Sequence, residues 1–531
     1  MDTKALRQKI LDLAIRGKLV SQDPNDEPAS VLLERIREQK QQMVKDGKLK
    51  KKDIKNDSVI FVGEDNLHYE KFQDGTVKCI EDEMPFELPE GWAWCRLYSL
   101  SVKIGAGSTP TGGAAVYTTS GIKFIRSQNV YNDGLILNDI AYISEEINRK
   151  KSGSIVKPKD ILLNITGGSI GRCALVPDEF DIANVNQHVM IIRLTNVEFR
   201  KYIHSVITSS YIQKQIFSRQ VGSGRGGLSA ETLSTFLIPL PPRNEQILIT
   251  DKLNDCISQI LTIANEQCKI NDLVSKAKAK ILDLAIRGKL VPQNPDDEPA
   301  SVLLERIRVE KGELIKQGKL KRDKKESVIF KGEDNSYYEK IGSEVRCIDS
   351  EIPFDLPESW MFARLKHIGE VIGGGTPKTN VDEYWDGNIP WLTPADLSGY
   401  EDVYILTGAR SITELGLKSS SAQMLPKNSI LYSSRAPIGY IAIAANPIST
   451  NQGFKSVVPY DFAMSSYLYY CLKARTSDIV QRATGTTFKE ISGSEMAETI
   501  IPLPPINEQQ HIFDKVKQLL EALSTIEKSL N

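Results

Sequence analysis

The chain has 531 residues, 40% of them hydrophobic, and 67 Lys and Arg against 68 Asp and Glu, a formal net charge of −1. That is chain enough for several cores, but no apolar run reaches a membrane span and the start, MDTKALRQK, lacks a signal-peptide core, so a cytoplasmic protein is expected. Seven cysteines, an odd number with no C-x-x-C pair, argue against a disulfide framework and a zinc site, and the near-zero charge means that any affinity for nucleic acid must be sought segment by segment.

In chain order, Met1 to Val20 reads as a helical fragment with Thr3, Leu6, Ile10 and Leu13 at alternating spacings of three and four, closed by Gly17. Pro24 and Pro28 frame a turn. Pro28-Ala29-Ser30 opens a second helix carrying Val31, Leu32, Leu33, Ile36 and Met43, which Gly47 ends. Lys45 to Lys55 follows with six lysines against two aspartates, either a solvated linker or an arm that contacts phosphates. SVIF at Ser58 suggests a short strand, and CIEDEMPFELPEGW a proline-punctuated connection to Trp92.

From Trp92 to Ile238 the pattern is mixed. A Gly-rich turn, IGAGSTP from Ile104, precedes an Ile-rich strand and the polar loop RSQN at Arg126; two strand candidates, DILLNITGGSIGRCAL from Asp160, lead to Asn186-Gln187; a helix, Arg200 to Gln220, leads to the loop GSGRGGLS from Gly222. IPLPP and NEQ then introduce one long helix, Asn244 to Val291. Its seam of Leu253, Cys256, Ile260, Ile263, Gln267, Ile270, Val274, Ala277, Ile281 and Leu284 has heptad spacing with one polar interruption at Gln267, and Cys256 reads as a small buried thiol in that seam.

The chain then repeats itself. ILDLAIRGKLV at Ile10 recurs without change at Ile281, EPASVLLERIR at Glu27 recurs at Glu298, SVIF and GED recur at Ser327 and Gly332, and the PF.LPE.W block ending at Trp92 recurs at Trp360. Lys316 to Lys325 carries six basic residues against one acid, a second arm. The second insert, Trp360 to Ile501, diverges from the first but keeps its order of parts: IGGGTP from Ile372, LTPAD at Leu392, SILYSSRAPIGYIAIA from Ser429, Asn451-Gln452, a helix from Met464 to Arg482, and TGTTFKEIS from Thr484. IPLPP and NEQ return at Ile501 to Gln509, and Val516, Leu519, Leu523, Ile526 and Leu530 restore the heptad rhythm. Aligned, the C-terminus stops about three residues before the point where the N-terminus begins. The two ends therefore rebuild one unit, the second strand of the coil, in a ring of two repeats.

No G-x-x-x-x-G-K-[ST], no [ND]-P-P-[YF], no H-E-x-x-H and no Cys/His cluster occurs. GAGSTPTGG at Gly105 lacks the phosphate-loop lysine and reads as a tight turn, and of five scattered histidines only His188 stands beside other polar candidates. Trp92 to Ile238 holds 16 Lys and Arg against 10 Asp and Glu, whereas Trp360 to Ile501 holds 12 against 13. Side chains able to read base edges cluster in the named loops. The DNA-contacting candidates are Arg126, Gln128, Asn129, Asn186, Gln187, His188, Ser223 and Arg225 in the first insert, and Thr393, Asp396, Ser434, Arg435, Asn451, Gln452, Thr486, Thr487 and Lys489 in the second. No catalytic or metal-binding residue is expected.

The two-repeat ring, ILDLAIRGKLV with EPASVLLERIR, the FELPEGW block and IPLPP..NEQ before a heptad helix together resemble the specificity subunit of bacterial type I restriction-modification enzymes over essentially the whole chain. The resemblance implies an α/β (α+β) fold: two mixed α/β target recognition domains joined by a long antiparallel two-helix coiled coil, in a pseudo-two-fold circular repeat. The expected division is 1–91 and 239–359 as repeated regions, 92–238 and 360–501 as recognition domains, and 502–531 as the C-terminal coil helix. It further implies a non-catalytic subunit that binds double-stranded DNA. Two modification subunits using S-adenosylmethionine would methylate adenine, and restriction subunits using ATP and Mg would translocate and cut, leaving no cofactor on this chain. A stand-alone DNA-binding regulator and a coiled-coil scaffold that ignores DNA are the rival readings.

Overall fold

A computed structural model describes residues 2–220, 226–318, 320, 326–485 and 489–530. The chain divides into two compact units, Met1–Gln267 and Cys268–Asn531, and the boundary falls inside a 44-residue helix, Arg243–Ile286, at the polar seam residue Gln267. Each unit has the same build: a repeated frame of helix and strand pair, a three-stranded meander, and a two-sheet head.

In the first unit the helix Thr3–Ile15 is N-capped by Asp2, which accepts from the backbone amides of Lys4 and Ala5. It ends at Gly17, whose φ of +64° is left-handed and whose Cβ, if present, would stand 2.4 Å from Pro89. Gly288 repeats both features, φ +65° and 2.5 Å from Pro357, which accounts for the unchanged glycine in the two copies of ILDLAIRGKLV. It also stops the long helix at Ile286 rather than at the expected Val291. The tryptophan and glutamate of the repeated blocks meet: Trp92 Nε1 donates to Glu245 and Trp360 Nε1 to Glu508, each at 2.8 Å, beneath the strand pairs Ala93–Arg96 with Leu237–Leu240 and Met361–Arg364 with Ile500–Leu503.

The meanders run Ser58–Val62, His68–Phe72 and Val77–Cys79 in the first unit, and Ser327–Lys331, Tyr337–Ile341 and Glu344–Cys347 in the second. One face of each is tied to the frame. Arg96 bridges Glu70 and Glu83 at 2.7 and 2.8 Å, and Arg364 bridges Glu339 and Glu351 at 2.9 and 2.7 Å.

Each head carries a main sheet with the same four strands, to which the second adds Tyr404–Ile405, parallel to Ile438–Ala444. In the first unit its strands are ordered Cys173–Leu175, Ile161–Asn164, Val189–Leu194 and Ser101–Ala106; in the second, Ile438–Ala444, Ile430–Ser434, Lys455–Pro459 and Gly369–Gly373 keep that order. Beside it lies a smaller sheet containing one parallel pair, Ile122–Ile125 with Ala183–Val185, and Trp385–Leu392 with Ser449–Thr450.

The helices expected over Arg200 to Gln220 and Met464 to Arg482 are each broken once, into Arg200–Thr208 and Ser210–Ser218, and into Ser465–Ala474 and Thr476–Arg482. Ser209 turns extended (ψ 156°) with its hydroxyl on the Val206 carbonyl, while Ile203, Ile207, Ile212 and Ile216 all stay buried, so the apolar rhythm hides the break. In the second unit Lys278 pairs with Glu527, and Ala285 and Ile286 share a core with Ile512, Phe513 and Val516. In the first, Ile249 and Leu253 share one with Leu11, Ala14 and Ile15. The Lys278–Glu527 pair is a direct contact between the helices of the expected coil. Ile526, expected in the seam, is exposed, and its neighbour Glu527 makes the contact instead. Met1 and Asn531, on which closure of the ring depends, lie outside the described residues.

Candidate nucleic-acid interface

A parallel strand pair sends both its chains out at the same edge, and this is what gathers the polar loops. In the first head Ile122–Ile125 runs into Arg126-Ser127-Gln128-Asn129 and its neighbour Ala183–Val185 into Asn186-Gln187-His188, with the Asn186 amide donating to the Ile125 carbonyl at 3.1 Å. In the second, Leu392 runs into Thr393–Asp396 and Thr450 into Asn451-Gln452, and the Asn451 amide donates to the Leu392 carbonyl at 2.8 Å.

Two further segments join each cluster. The Ile165 amide donates to the His188 carbonyl at 3.0 Å, and Leu228 donates back to Ile165 at 2.9 Å, which brings the start of Gly226–Leu228 alongside Thr166. The second head repeats this with Ser434 donating to Gly453 at 2.7 Å and Ile491 to Ser434 at 3.1 Å. The Gly-rich turns cross over the Asn-Gln segments. A Cβ on Gly107 would stand 1.9 Å from the Val185 carbonyl oxygen, and one on Gly374 2.0 Å from that of Asn451, so only glycine allows the crossing. The sequence showed these as turns; the close approach explains why they must be glycine.

Within the clusters the candidates separate into exposed groups and supports. Gln128, Gln187, Gln452 and Lys489 are exposed. Arg126 lies 3.9 Å from Asp139 and donates to its carbonyl, Gln128 Nε2 donates to the Asp139 carboxylate at 3.1 Å, and Arg435 meets Glu490 at 3.3 Å. These candidates therefore rest on surface carboxylates, in pairs worth about 0–1 kcal/mol each. His188 Nδ1 is 2.6 Å from the Thr166 hydroxyl.

Asn129, by contrast, is 2% exposed, and its amide is spent on the Arg126 N–H and the Ile136 carbonyl. Asn186 and Asn451 accept from the His188 and Gly453 amides. Asp396 accepts from the Thr393 amide and hydroxyl and from Ala409, and the Ser434 hydroxyl is fully buried. These five shape the loops, and Thr393 caps one. Ser223, Arg225, Thr486 and Thr487 lie outside the described residues. Gln452 accepts from the Thr376 hydroxyl.

Sequence reasoning missed a cation cluster at the other end of the first sheet. Lys103, Lys157 and Arg193 line a cleft of about 890 Å³ together with Lys48 of the basic arm, whose Lys45, Lys48, Lys50, Lys51, Lys52 and Lys55 are all exposed. Burial, then the adjacent Arg193 guanidinium, lowers the Lys103 pKa. Arg193 and Lys103 face each other across the strands; in the second head the facing pair is Val458 and Glu370. Arg193 is held by the buried Asp160 carboxylate at 2.7 Å, and Asp53, Asp57 and Glu231 line the same cleft, so these cations are partly neutralised. Much of the second arm, Lys319 and residues 321–325, lies outside the described residues. Among the described residues no group of His, Cys, Asp and Glu could hold a metal, and no helix is long and apolar enough to cross a membrane.

The model of the type I restriction modification DNA specificity domain matches residues 89–272 and 357–531. The type I restriction enzyme MjaIX specificity subunit of Methanocaldococcus jannaschii is 49% identical over 159 residues, 30% of this chain and 37% of that relative. The EcoAI specificity subunit of Escherichia coli is 25% identical across 98% of this chain and 90% of its own length. A solved chain from a study of assembly and conformational transition in a type I R-M system superposes with a TM-score of 0.55 at 17% identity, covering 84% of this chain and 94% of that one.

Proposed function

Because the chain belongs to the family of type I restriction modification DNA specificity domains, we propose that it is the non-catalytic subunit that tells a restriction-modification complex which DNA to act on, each head reading one half of a split word. The observation that carries this is the double convergence: in both heads the parallel strand pair, the main-sheet loop and the Gly crossing deliver polar side chains to one edge, although the loop sequences differ. One scaffold with two different sets of exposed groups is what reading two different half-words requires.

On this reading Arg126, Gln128, Gln187, His188, Arg435, Gln452 and Lys489 meet base edges or phosphates. The exposed lysines of the first arm add sequence-independent affinity. The chemistry belongs to partners: two modification subunits that flip and methylate adenine with S-adenosylmethionine, and restriction subunits that use ATP and Mg. The complex works in the cytoplasm, where its DNA is.

Replacing 92–238 with the matching segment of another family member tests the reading by methylation mapping of host DNA. One half of the methylated word should change and the other half stay. If both halves change together the heads are not separate readers, and if the pattern does not respond at all this chain does not choose the site. A stand-alone regulator would bind its word without partners and leave no methylation mark; a scaffold would tolerate loss of every exposed loop side chain.

A further inference from the structure

In the first head the end of the main-sheet turn touches the loop that follows RSQN. Strand Ile161–Asn164 turns back through Thr166, whose hydroxyl meets His188, and re-enters the sheet at Arg172, where the Asn164 amide donates to the Arg172 carbonyl at 2.8 Å. Two bonds tie this turn to the neighbouring loop: Asn164 Nδ2 donates to the Ser127 carbonyl at 2.8 Å, and the Cys173 amide to Asn132 Oδ1 at 2.9 Å. Between the ties the Arg172 guanidinium stacks over the Tyr131 ring, 4.6 Å from its centre, and Tyr131 is 36% exposed.

Arg172 keeps its charge available. Arg126, Arg193 and Arg200 of the same head each meet a carboxylate, those of Asp139, Asp160 and Asp178, whereas no described carboxylate pairs with Arg172. The ring fixes the plane of the guanidinium without consuming its N–H groups, so the fork of donors is set before any ligand arrives.

The second head puts a different pair in the same place. Register makes Arg172 and Tyr440 equivalent: Leu163 pairs with Cys173 and Tyr432 with Ile441, and the two residues directly precede those partners. The capping boxes make Tyr131 and Ser398 equivalent, each two residues past the capping side chain of Asn129 or Asp396. There the Tyr440 hydroxyl lies 3.4 Å from the Ser398 hydroxyl, and neither carries a charge.

This divergence decides between a phosphate and a base. Both half-sites offer the same sugar-phosphate backbone, so a phosphate contact has no reason to become an uncharged hydroxyl pair in one head. A base contact has one, because heads with different exposed groups read different half-words. A planar fork of donors matches the O6 and N7 acceptors of guanine in the major groove. We propose that Arg172 is a specificity-determining residue that reads a guanine of the first half-word, with Tyr131 as its positioning residue; the inference rests on the functional reading above.

The test uses the full-length chain assembled with modification subunits, and the word mapped by methylation sequencing. Each guanine of the first half-word, on either strand, is replaced in turn by 7-deazaguanine, which keeps the base pair and removes the N7 acceptor. One replacement should weaken wild-type binding about tenfold, within the range of one bidentate arginine–guanine pair. Arg172→Lys, which keeps the charge and loses the fork, should bind the natural word less well by the same factor and be indifferent to that replacement. Tyr131→Leu should behave like Arg172→Lys and Tyr131→Phe like wild type. In all three variants the melting curve and the reading of the second half-word should be unchanged. If no replacement affects the wild type, if Arg172→Lys responds to all of them as the wild type does, or if the first half-word holds no guanine, the assignment is overturned and the functional reading stands. A loss that Arg172→Lys shows equally on matched and unrelated duplexes would make Arg172 a phosphate contact and overturn it too. A wild-type complex that binds its mapped word no better than unrelated DNA would sink the functional reading, and the assignment with it.

Discussion

A Cβ built on Gly374 would stand 2.0 Å from the carbonyl oxygen of Asn451, and backbone, unlike a flexible side chain, cannot swing away. Gly374→Ala should therefore push the Asn451-Gln452 segment out of register with Thr393–Asp396, at a stability cost of about 1–3 kcal/mol. The second half-word should be lost or blurred while the first is kept. Gly107→Ala should give the mirror result. Methylation mapping together with a melting curve reads both effects; an alanine variant that maps like wild type would mean that the crossing does not hold the loop.

Asp139 is 92% exposed in its side chain and holds Arg126 and Gln128, two candidate readers. On the proposed reading, DNA displaces that carboxylate. Asp139→Asn should thus tighten DNA binding in low salt, steepen the salt dependence by removing one repulsive charge, and barely touch stability, since such a surface pair is worth about 0–1 kcal/mol. Arg435→Gln should instead cost about 1–3 kcal/mol of discrimination at one position of the second half-word. Fluorescence anisotropy of matched and mismatched duplexes across a salt series separates the two; equal loss on every duplex would make Arg435 a phosphate contact.

How much of this was legible in the sequence depends on the range of the interactions. The repeated blocks announced two copies of a frame, and Trp92–Glu245 and Trp360–Glu508 show why those letters cannot drift. The heptad spacing marked the long helix, because a seam is written locally. That RSQN and Asn186-Gln187 lie side by side was not legible, because it depends on a parallel pairing between strands about 60 residues apart in the chain. Asn129 and Asp396 looked like readers because an amide or carboxylate in a loop has the same letter whether it faces DNA or holds the loop shut. The Lys103–Arg193 cluster was missed for the same reason as the strand pairing: its members come together only across the sheet.

Glu339 is the central acid of the second meander's anchor. Burial alone would raise its pKa, but hydrogen bonds from Arg364, Ser327 and Arg346 outweigh burial and bring it down to about 2. A depressed carboxyl pKa means stability that is fully present above the unfolded value of 4.5 and is lost as pH falls toward 2. The second unit should therefore weaken across that window. Glu339→Gln should flatten the acid limb but destabilise at neutral pH by about 3–5 kcal/mol, because Arg364 is left buried with one of its partners gone. Urea titrations of both proteins from pH 7 to pH 2 test this, and an unchanged acid limb in the variant would assign the loss to other groups.

The long helix Arg243–Ile286 contributes residues to both units, and at about 1.5 Å per residue its 44 residues extend roughly 66 Å. The seam from Leu253 to Leu284 accounts for roughly 45 Å of that. Four residues inserted after Gln267, at the polar break in the seam, add roughly 6 Å in a stutter that a coil absorbs by local unwinding. With base pairs stacked at about 3.4 Å, the unread spacer between half-words should lengthen by about one or two base pairs. The half-words should stay as they are, because no loop in either head has been touched. Methylation mapping of the insertion variant reads both quantities at once: a constant spacer would mean that something other than this helix sets the distance, and altered half-words would mean that the heads do not read as rigid bodies.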